Sequence, residues 1–461
     1  MSAGGAHGTV LRSRPSVVRN ACLLDGSIVD IVIDAGRVVA IGRGAPAPQA
    51  DPMAAIDVQG RLVTPPLVEP HIHLDAVLTV GQPRQNESGS LFEGIAVWGE
   101  RVATLTPDDV RERASEVLRW QLACGVQHVR SHVDVCDPDL RALHGMLAVR
   151  ADFAGLVDLQ LVAFPQQGIF GYPGGAALMR EALELGADVV GGIPHFELTR
   201  EDGVASVQLV FDLAQEFGRR IDIHCDETDD EHARFVEVMA AETIKRGMAG
   251  AVTASHTTAM HSYNGAYAAR LITNIARAGL HMVTNPLDNA VLQGRFDHGP
   301  IRRGGTRVKQ LRAAGVNVAI GHDSVMDPWY PLGYGDPVQA AFVLAHTGHL
   351  SGANELPYLM EMVTTNPAAA LGLQDYGLRV GGPADLVVFD APSAQDAIRL
   401  VSPRWLVLRD GVVVARTEPA HTSVLADGVP RSVNFLRPTP APATPAPTTP
   451  APTSDDDEQS G

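Results

Sequence analysis

Between residues 65 and 375 the chain alternates short β-rich apolar runs with longer stretches of helical periodicity, and this alternation restricts the fold more than any other feature. The runs end before His71 and recur at 126–132, 159–164, 188–193, 221–224, 252–256, 281–284 and 316–320, eight in all. Strands that alternate with helices run parallel and are covered on both faces. Eight such units over about 300 residues fit an α/β fold, a (β/α)8 TIM-type barrel, which keeps its functional residues at the C-terminal ends of the strands. An open doubly wound sheet is the alternative, but no Gly-x-Gly-x-x-Gly turn follows any of the runs.

The helical stretches carry their own punctuation. Thr106-Pro107-Asp108-Asp109 offers an N-cap, a proline at the first helical position and acids where the helix dipole favours them. Val110, Ala114, Val117 and Leu118 follow at helical spacing, and Gly125 closes the pattern. Outside the barrel the grammar changes to strands and Asp-Gly or Ala-Gly turns, as in 28–41 and again in 384–389 and 405–414. Residues 1–64 and 376–436 are therefore expected to supply the two parts of one small β-sandwich domain around the 65–375 barrel. The remaining 437–461, rich in Pro, Ala and Thr with Asp455-Asp456-Asp457-Glu458, cannot bury a core and is expected to be disordered.

A formal net charge of −17 argues against a nucleic-acid backbone or an anionic membrane as partner, since both require a concentrated basic face. A small substrate fits better. Cys22, Cys124, Cys136 and Cys225 lack C-x-x-C spacing and suggest neither a disulfide framework nor a thiolate metal site. With no apolar run of signal-peptide or membrane-spanning length, a cytoplasmic location is expected.

The ends of the runs are where chemistry is concentrated. The first ends in Val68-Glu69-Pro70-His71-Ile72-His73-Leu74-Asp75. Side chains at i and i+2 of a strand share a face, so His71 and His73 can present both imidazoles to one point. A lone pair of this kind is more often an ordinary strand end. A catalytic metal needs further ligands and an open position, and later strand ends offer candidates in His224-Cys225-Asp226-Glu227, Ser255-His256 and Gly321-His322-Asp323-Ser324.

These residues carry a resemblance. From about 16 to 436 the chain resembles the amidohydrolase superfamily, and in particular its cytosine deaminase branch. The densest strings are Phe164-Pro165-Gln166, Pro194-His195-Phe196, His224-Cys225-Asp226-Glu227, Ser255-His256-Thr257-Thr258-Ala259-Met260-His261-Ser262 and Asp327-Pro328-Trp329-Tyr330-Pro331-Leu332-Gly333. The resemblance implies one divalent metal, Fe2+ or Zn2+, held by His71, His73, His224 and Asp323. It further implies Glu227 as proton shuttle, His256 beside the attacking water, Asp323 as a further catalytic group, Gln166 bonded to a nucleobase ring, and a homo-oligomer. Phe164 and Trp329 are candidates to wall the ring, and Gln167 is a weaker candidate for specificity. Binuclear members of the superfamily commonly bridge their metals with a carboxylated lysine; here the only lysines are Lys245 and Lys309, both in helical contexts, which favours one ion.

Two departures matter. His195-Phe196-Glu197 matches half of the zinc nucleoside-deaminase signature, but the Pro-Cys-x-x-Cys half is absent. Cytosine deaminases of this branch often have a second aspartate after the metal-binding one, and this chain has Ser324 there. The expectation is deamination of cytosine or a 5-substituted cytosine, 5-methylcytosine included. The alternatives are another cyclic amidine such as isoguanine or creatinine, cyclic amide hydrolysis, or a catalytically silent binding barrel.

Overall fold

The computed structural model describes residues 13–45 and 55–436, so the acidic tail at 437–461 lies outside the described residues. Contacts divide the chain into two units, 1–419 and 420–461.

In the first unit, five short strands precede the barrel: β1 (Val17–Cys22), β2 (Ile28–Asp34), β3 (Arg37–Gly42), β4 (Ala55–Asp57) and β5 (Val63–Thr64). The barrel strands are β6 (Leu67–Ile72), β7 (Val126–Asp134), β8 (Asp158–Phe164), β9 (Val189–Gly192), β10 (Arg220–Cys225), β11 (Val252–His256), β12 (His281–Thr284) and β13 (Asn317–Ile320). These eight are hydrogen-bonded in chain order, as parallel βα units require. The eight apolar runs are these strands, shifted by a residue or two at their ends. Helices separate them, and the Pro107–Ala123 helix opens as its sequence predicts, with the Thr106 hydroxyl accepting from the Asp109 N–H at 3.2 Å.

The barrel closes between its first and last strands. Ile72 bridges to Asp323, the His73 N–H donates to the Asp323 carbonyl at 3.0 Å, and the Asp323 N–H donates to the His71 carbonyl at 2.9 Å. The closing seam thus runs through three residues that the sequence marks as metal ligands.

Beyond the barrel lie β14 (Leu386–Phe389), β15 (Arg404–Arg409) and β16 (Val412–Arg416). They form a sheet in the order β16-β15-β14-β5, while the N-terminal strands pair as β3-β2-β1-β4. Val18, Ile31 and Val38 from one sheet and Leu386, Val388 and Leu406 from the other share a single buried cluster. The two ends of the sequence therefore build one sandwich. In the second unit, β17 (Thr422–Ala426) and β18 (Val429–Val433) form a hairpin around Asp427-Gly428, both at positive φ as a two-residue turn demands.

One layer inside the barrel is unusual. Arg130 on β7 and Asp222 on β10 are fully buried and paired at 2.9 Å, although β8 and β9 separate their strands, so the contact crosses the interior. Strand alternation places His132 and His224 one step further along the same faces. The charged layer is the floor on which the mouth of the barrel rests.

Candidate active site

At the mouth, three imidazoles and a carboxylate converge. His73 Nε2 lies 2.9 Å and His71 Nε2 3.2 Å from His224 Nε2. Asp323 Oδ1 lies 3.4 Å from His71 Nε2 and 3.5 Å from His73 Nε2. All four side chains are buried. Burial pushes His71 down to about 3 and His73 to about 4, and holds His224 well below the usual imidazole range, so the rings are neutral and offer lone pairs. His71 Nδ1 and His224 Nδ1 have no hydrogen-bond partner. Donors bound tetrahedrally to a divalent ion at about 2.0–2.1 Å sit roughly 3.3 Å apart, close to these four distances, and His71, His224 and Asp323 also group with His256 within 4.8 Å. The donor set fits a divalent cation.

The backbone at this rim is strained in a consistent way. His256 and Asp323 both adopt left-handed conformations, at φ +68° and +72°, which cost energy for residues with a Cβ. His256 is the last residue of β11, and Asp323 lies three residues beyond the end of β13. His256 Nδ1 is 3.3 Å from Glu227 Oε1 and 3.8 Å from Asp323 Oδ2. Asn285 and Asn289, on either side of Asp288, direct their amides at the His256 ring at 3.2 and 3.1 Å. Burial, with the Asp323 charge added, raises Glu227 well above the usual carboxylate range.

Gln166, Glu227, His256, Asp323, Ser324 and Trp329 line one cavity at the mouth. Trp329 reaches the cavity by lying against Gly94, where a Cβ would collide with the indole.

A model of the amidohydrolase family matches residues 54–415, most of the chain. The chain belongs to the amidohydrolase family. Among solved structures, this amidohydrolase is similar to the 5-methylcytosine deaminase of Klebsiella pneumoniae liganded with 5-fluorocytosine. They share 48% identity at a TM-score of 0.85, covering 88% of this chain and 98% of that one. It is 32% identical to a pterin deaminase of Rhizobium rhizogenes, covering 85% of this chain and 89% of the relative. It is also 29% identical to the N-isopropylammelide isopropyl amidohydrolase of Pseudomonas sp. strain ADP, covering 87% and 97%.

Several residues sit elsewhere in this amidohydrolase than the sequence suggested. Phe164, a candidate to wall the ring, is not in the cavity lining: it is fully buried and stacks on His224 at 4.0 Å between centroids. It fixes the orientation of an imidazole instead. Gln167 is likewise outside the lining, with its N–H turned to Cys136 Sγ. Glu197 accepts backbone N–H bonds from Ile169, Phe170 and Gly171, so the His195-Phe196-Glu197 carboxylate holds a loop and has no free oxygen for proton transfer. Lys245 and Lys309 pair with Glu242 and Glu355 on helices away from the mouth.

Other residues of the site were missed. Glu69 is completely buried and accepts the His71 N–H at 3.0 Å and the His322 N–H at 3.1 Å, tying β6 to the segment after β13. Its place two residues before His71 was a signal. His132 packs 4.0 Å from His71 with both ring nitrogens unpartnered. Asn285, Asp288 and Asn289 follow β12, a strand whose own end carries no titratable residue to draw notice.

Proposed function

We propose that this amidohydrolase deaminates a free cytosine or 5-substituted cytosine to the corresponding uracil and ammonia, with one Fe2+ or Zn2+ held by His71, His73, His224 and Asp323. The observation that carries the reading is the pairing of Glu227 with His256 at 3.3 Å, both lining one cavity with Gln166 beside those four donors. The 48% identity to a 5-methylcytosine deaminase supports it. When bound, the ion supplies a water acidified toward neutrality.

The protein's own groups do the rest. Gln166 bonds the carbonyl edge of the ring and sets its register. Glu227 accepts a proton from the attacking water and delivers it to the ring nitrogen beside the reacting carbon, so that negative charge never accumulates there. Burial and the Asp323 charge raise its proton affinity, which favours taking a proton from the water. His256, held by Asn285 and Asn289, bonds the oxygen that adds to carbon. The proton left on that oxygen passes by way of Asp323 to the exocyclic nitrogen, the carbon–nitrogen bond breaks as the new carbonyl forms, and the nitrogen leaves as ammonia.

Ammonia release from cytosine, 5-methylcytosine, 5-fluorocytosine, isoguanine, creatinine and pterin, with metal-replete protein, tests the reading. The cytosines are expected to dominate; a preference for any of the last three would replace it. Ser324 lines the cavity where the branch often carries an aspartate, and we assign it to the pyrimidine 5-position. Ser324→Asp is expected to lower kcat/KM for 5-methylcytosine relative to cytosine by about 10-fold, the scale of one crowded methyl. An unchanged ratio would remove Ser324 from the specificity pocket.

A further inference from the structure

Asp288 belongs to no step of this mechanism, yet it lines the same cavity. It sits in the first turn of the helix Pro286–Leu292, is 1% exposed, and its Oδ1 has no hydrogen-bond partner. Other acids at the rim differ from it. Glu69 holds the amides of His71 and His322 and Asp226 those of Phe235 and Val236, while Asp327 takes those of Trp329 and Tyr330 on Oδ1 and, with Oδ2 unpartnered, lies outside the cavity lining. Glu227 and Asp323 carry the chemistry. Asp288 is the carboxyl in this cavity with neither a structural duty nor a catalytic one.

Its neighbour shows which part of a substrate it meets. The Ser324 hydroxyl interacts with the Asp288 carboxyl, so the two form one polar patch on the cavity wall. In the proposed reading, Gln166 takes the carbonyl edge of the pyrimidine, and Glu227, His256 and Asp323 surround the reacting carbon and its ring nitrogen. The edge left over carries position 5. Trp329, Leu91 and Leu292 also line the cavity and offer apolar surface to the ring faces, and the buried Trp329 indole N–H is a donor with no protein partner. Of the remaining lining side chains, Ser324 and Asp288 supply the oxygen acceptors. Burial, together with the charges of Asp323 and Asp327, raises the Asp288 carboxyl well above its usual range, which is compatible with a neutral ring beside it.

We propose that Asp288 reads the substituent at position 5 of the ring and makes this enzyme favour cytosines bearing a hydrogen-bond donor there, a hydroxymethyl or an amino group, over 5-methylcytosine. A methyl group leaves the buried Oδ1 unpaired, whereas an O–H or N–H satisfies it; sites built to bond a substrate donor reject the analogue that lacks it. This inference rests on the cytosine deaminase reading and refines its substrate class.

The test compares kcat/KM for cytosine, 5-methylcytosine, 5-hydroxymethylcytosine and 5-aminocytosine in the wild type, Asp288→Asn and Asp288→Leu, with metal loading verified. The wild type is expected to prefer 5-hydroxymethylcytosine over 5-methylcytosine by about 10-fold, the worth of one buried bond. Asp288→Asn should keep that order and Asp288→Leu should invert it. Competition by the unreactive products, 5-hydroxymethyluracil against thymine, gives the same ratio from binding alone in the wild type, so the result stands even where a variant fails to fold. Turnover of cytosine with a hydroxymethyl-to-methyl ratio at or below one, or a ratio that Asp288→Leu leaves in place, overturns the role of Asp288. No ammonia from any cytosine overturns the deaminase reading itself, and this inference with it.

Discussion

The floor and the mouth of this barrel are built from similar residues and treated in opposite ways. In the floor, all three nitrogens of the Arg130 guanidinium are bonded, to Asp222, Gln160, Thr253 and the Ala370 carbonyl, and both oxygens of Asp222 are taken by Arg130 and Ser255. At the mouth, one layer above, His71 Nδ1, His224 Nδ1, Asn285 Oδ1, Asp288 Oδ1 and Asn289 Oδ1 are buried with no partner. Unpaired buried polar groups are costly, and one that lines a cavity can be satisfied by what enters it. The difference separates what holds the barrel from what it is for.

The largest expected effects lie at the mouth. Removing the divalent ion with a chelator should abolish ammonia release and lower Tm, since the folded state alone presents the four donors together; Zn2+ or Fe2+ should restore both. Turnover that persists in protein shown by metal analysis to be empty would break the assignment. Glu227→Gln should lower kcat by about 10³-fold with metal content unchanged, because the amide cannot carry the proton. Near-normal turnover would move the shuttle elsewhere.

The floor should respond in stability instead. Arg130→Met strands Asp222 in the interior and is expected to cost about 3–5 kcal/mol, read from denaturant unfolding. The double variant Arg130→Met/Asp222→Leu should recover much of that loss, as removing both charges leaves neither unpaired. If the single variant lost activity while keeping full stability, the contrast between the two layers would collapse.

The smallest effect is at the strand starts, where Asp158 joins His128 and Arg409. Burial raises its carboxyl, but the His128 hydrogen bond and the Arg409 charge outweigh this and bring it down to about 2. A depressed carboxylate stabilises the fold above its unfolded value near 4, and the contribution is lost as pH falls toward 2. Asp158→Asn should therefore destabilise the protein at pH 6 and not at pH 2. The side chain is about half exposed, so solvent screening keeps the difference under about 1 kcal/mol. Equal Tm changes at both pH values would show that the ion pair contributes nothing.

The eight strands were legible because each is a run of apolar β-branched residues bounded by turn signals, and periodicity survives without tertiary context. The ligand candidates were legible because histidines and carboxylates stood at the ends of those runs, where a barrel places its chemistry. Glu69, His132 and Asp288 were not read as site residues. Glu69 acts by reaching from β6 to the backbone after β13, 253 positions away, and no local pattern reports such a contact.

By itself, the sequence determined the order of elements, the closed α/β barrel and the residues able to bind a divalent ion, since period, turn chemistry and donor type are local properties. Tertiary structure decided which of those donors meet, that Phe164 stacks on a histidine outside the cavity lining, and that Asp288 keeps one oxygen unpaired beside Ser324. Those outcomes depend on how eight strand ends are brought to one rim, and distance through space cannot be read from distance along the chain.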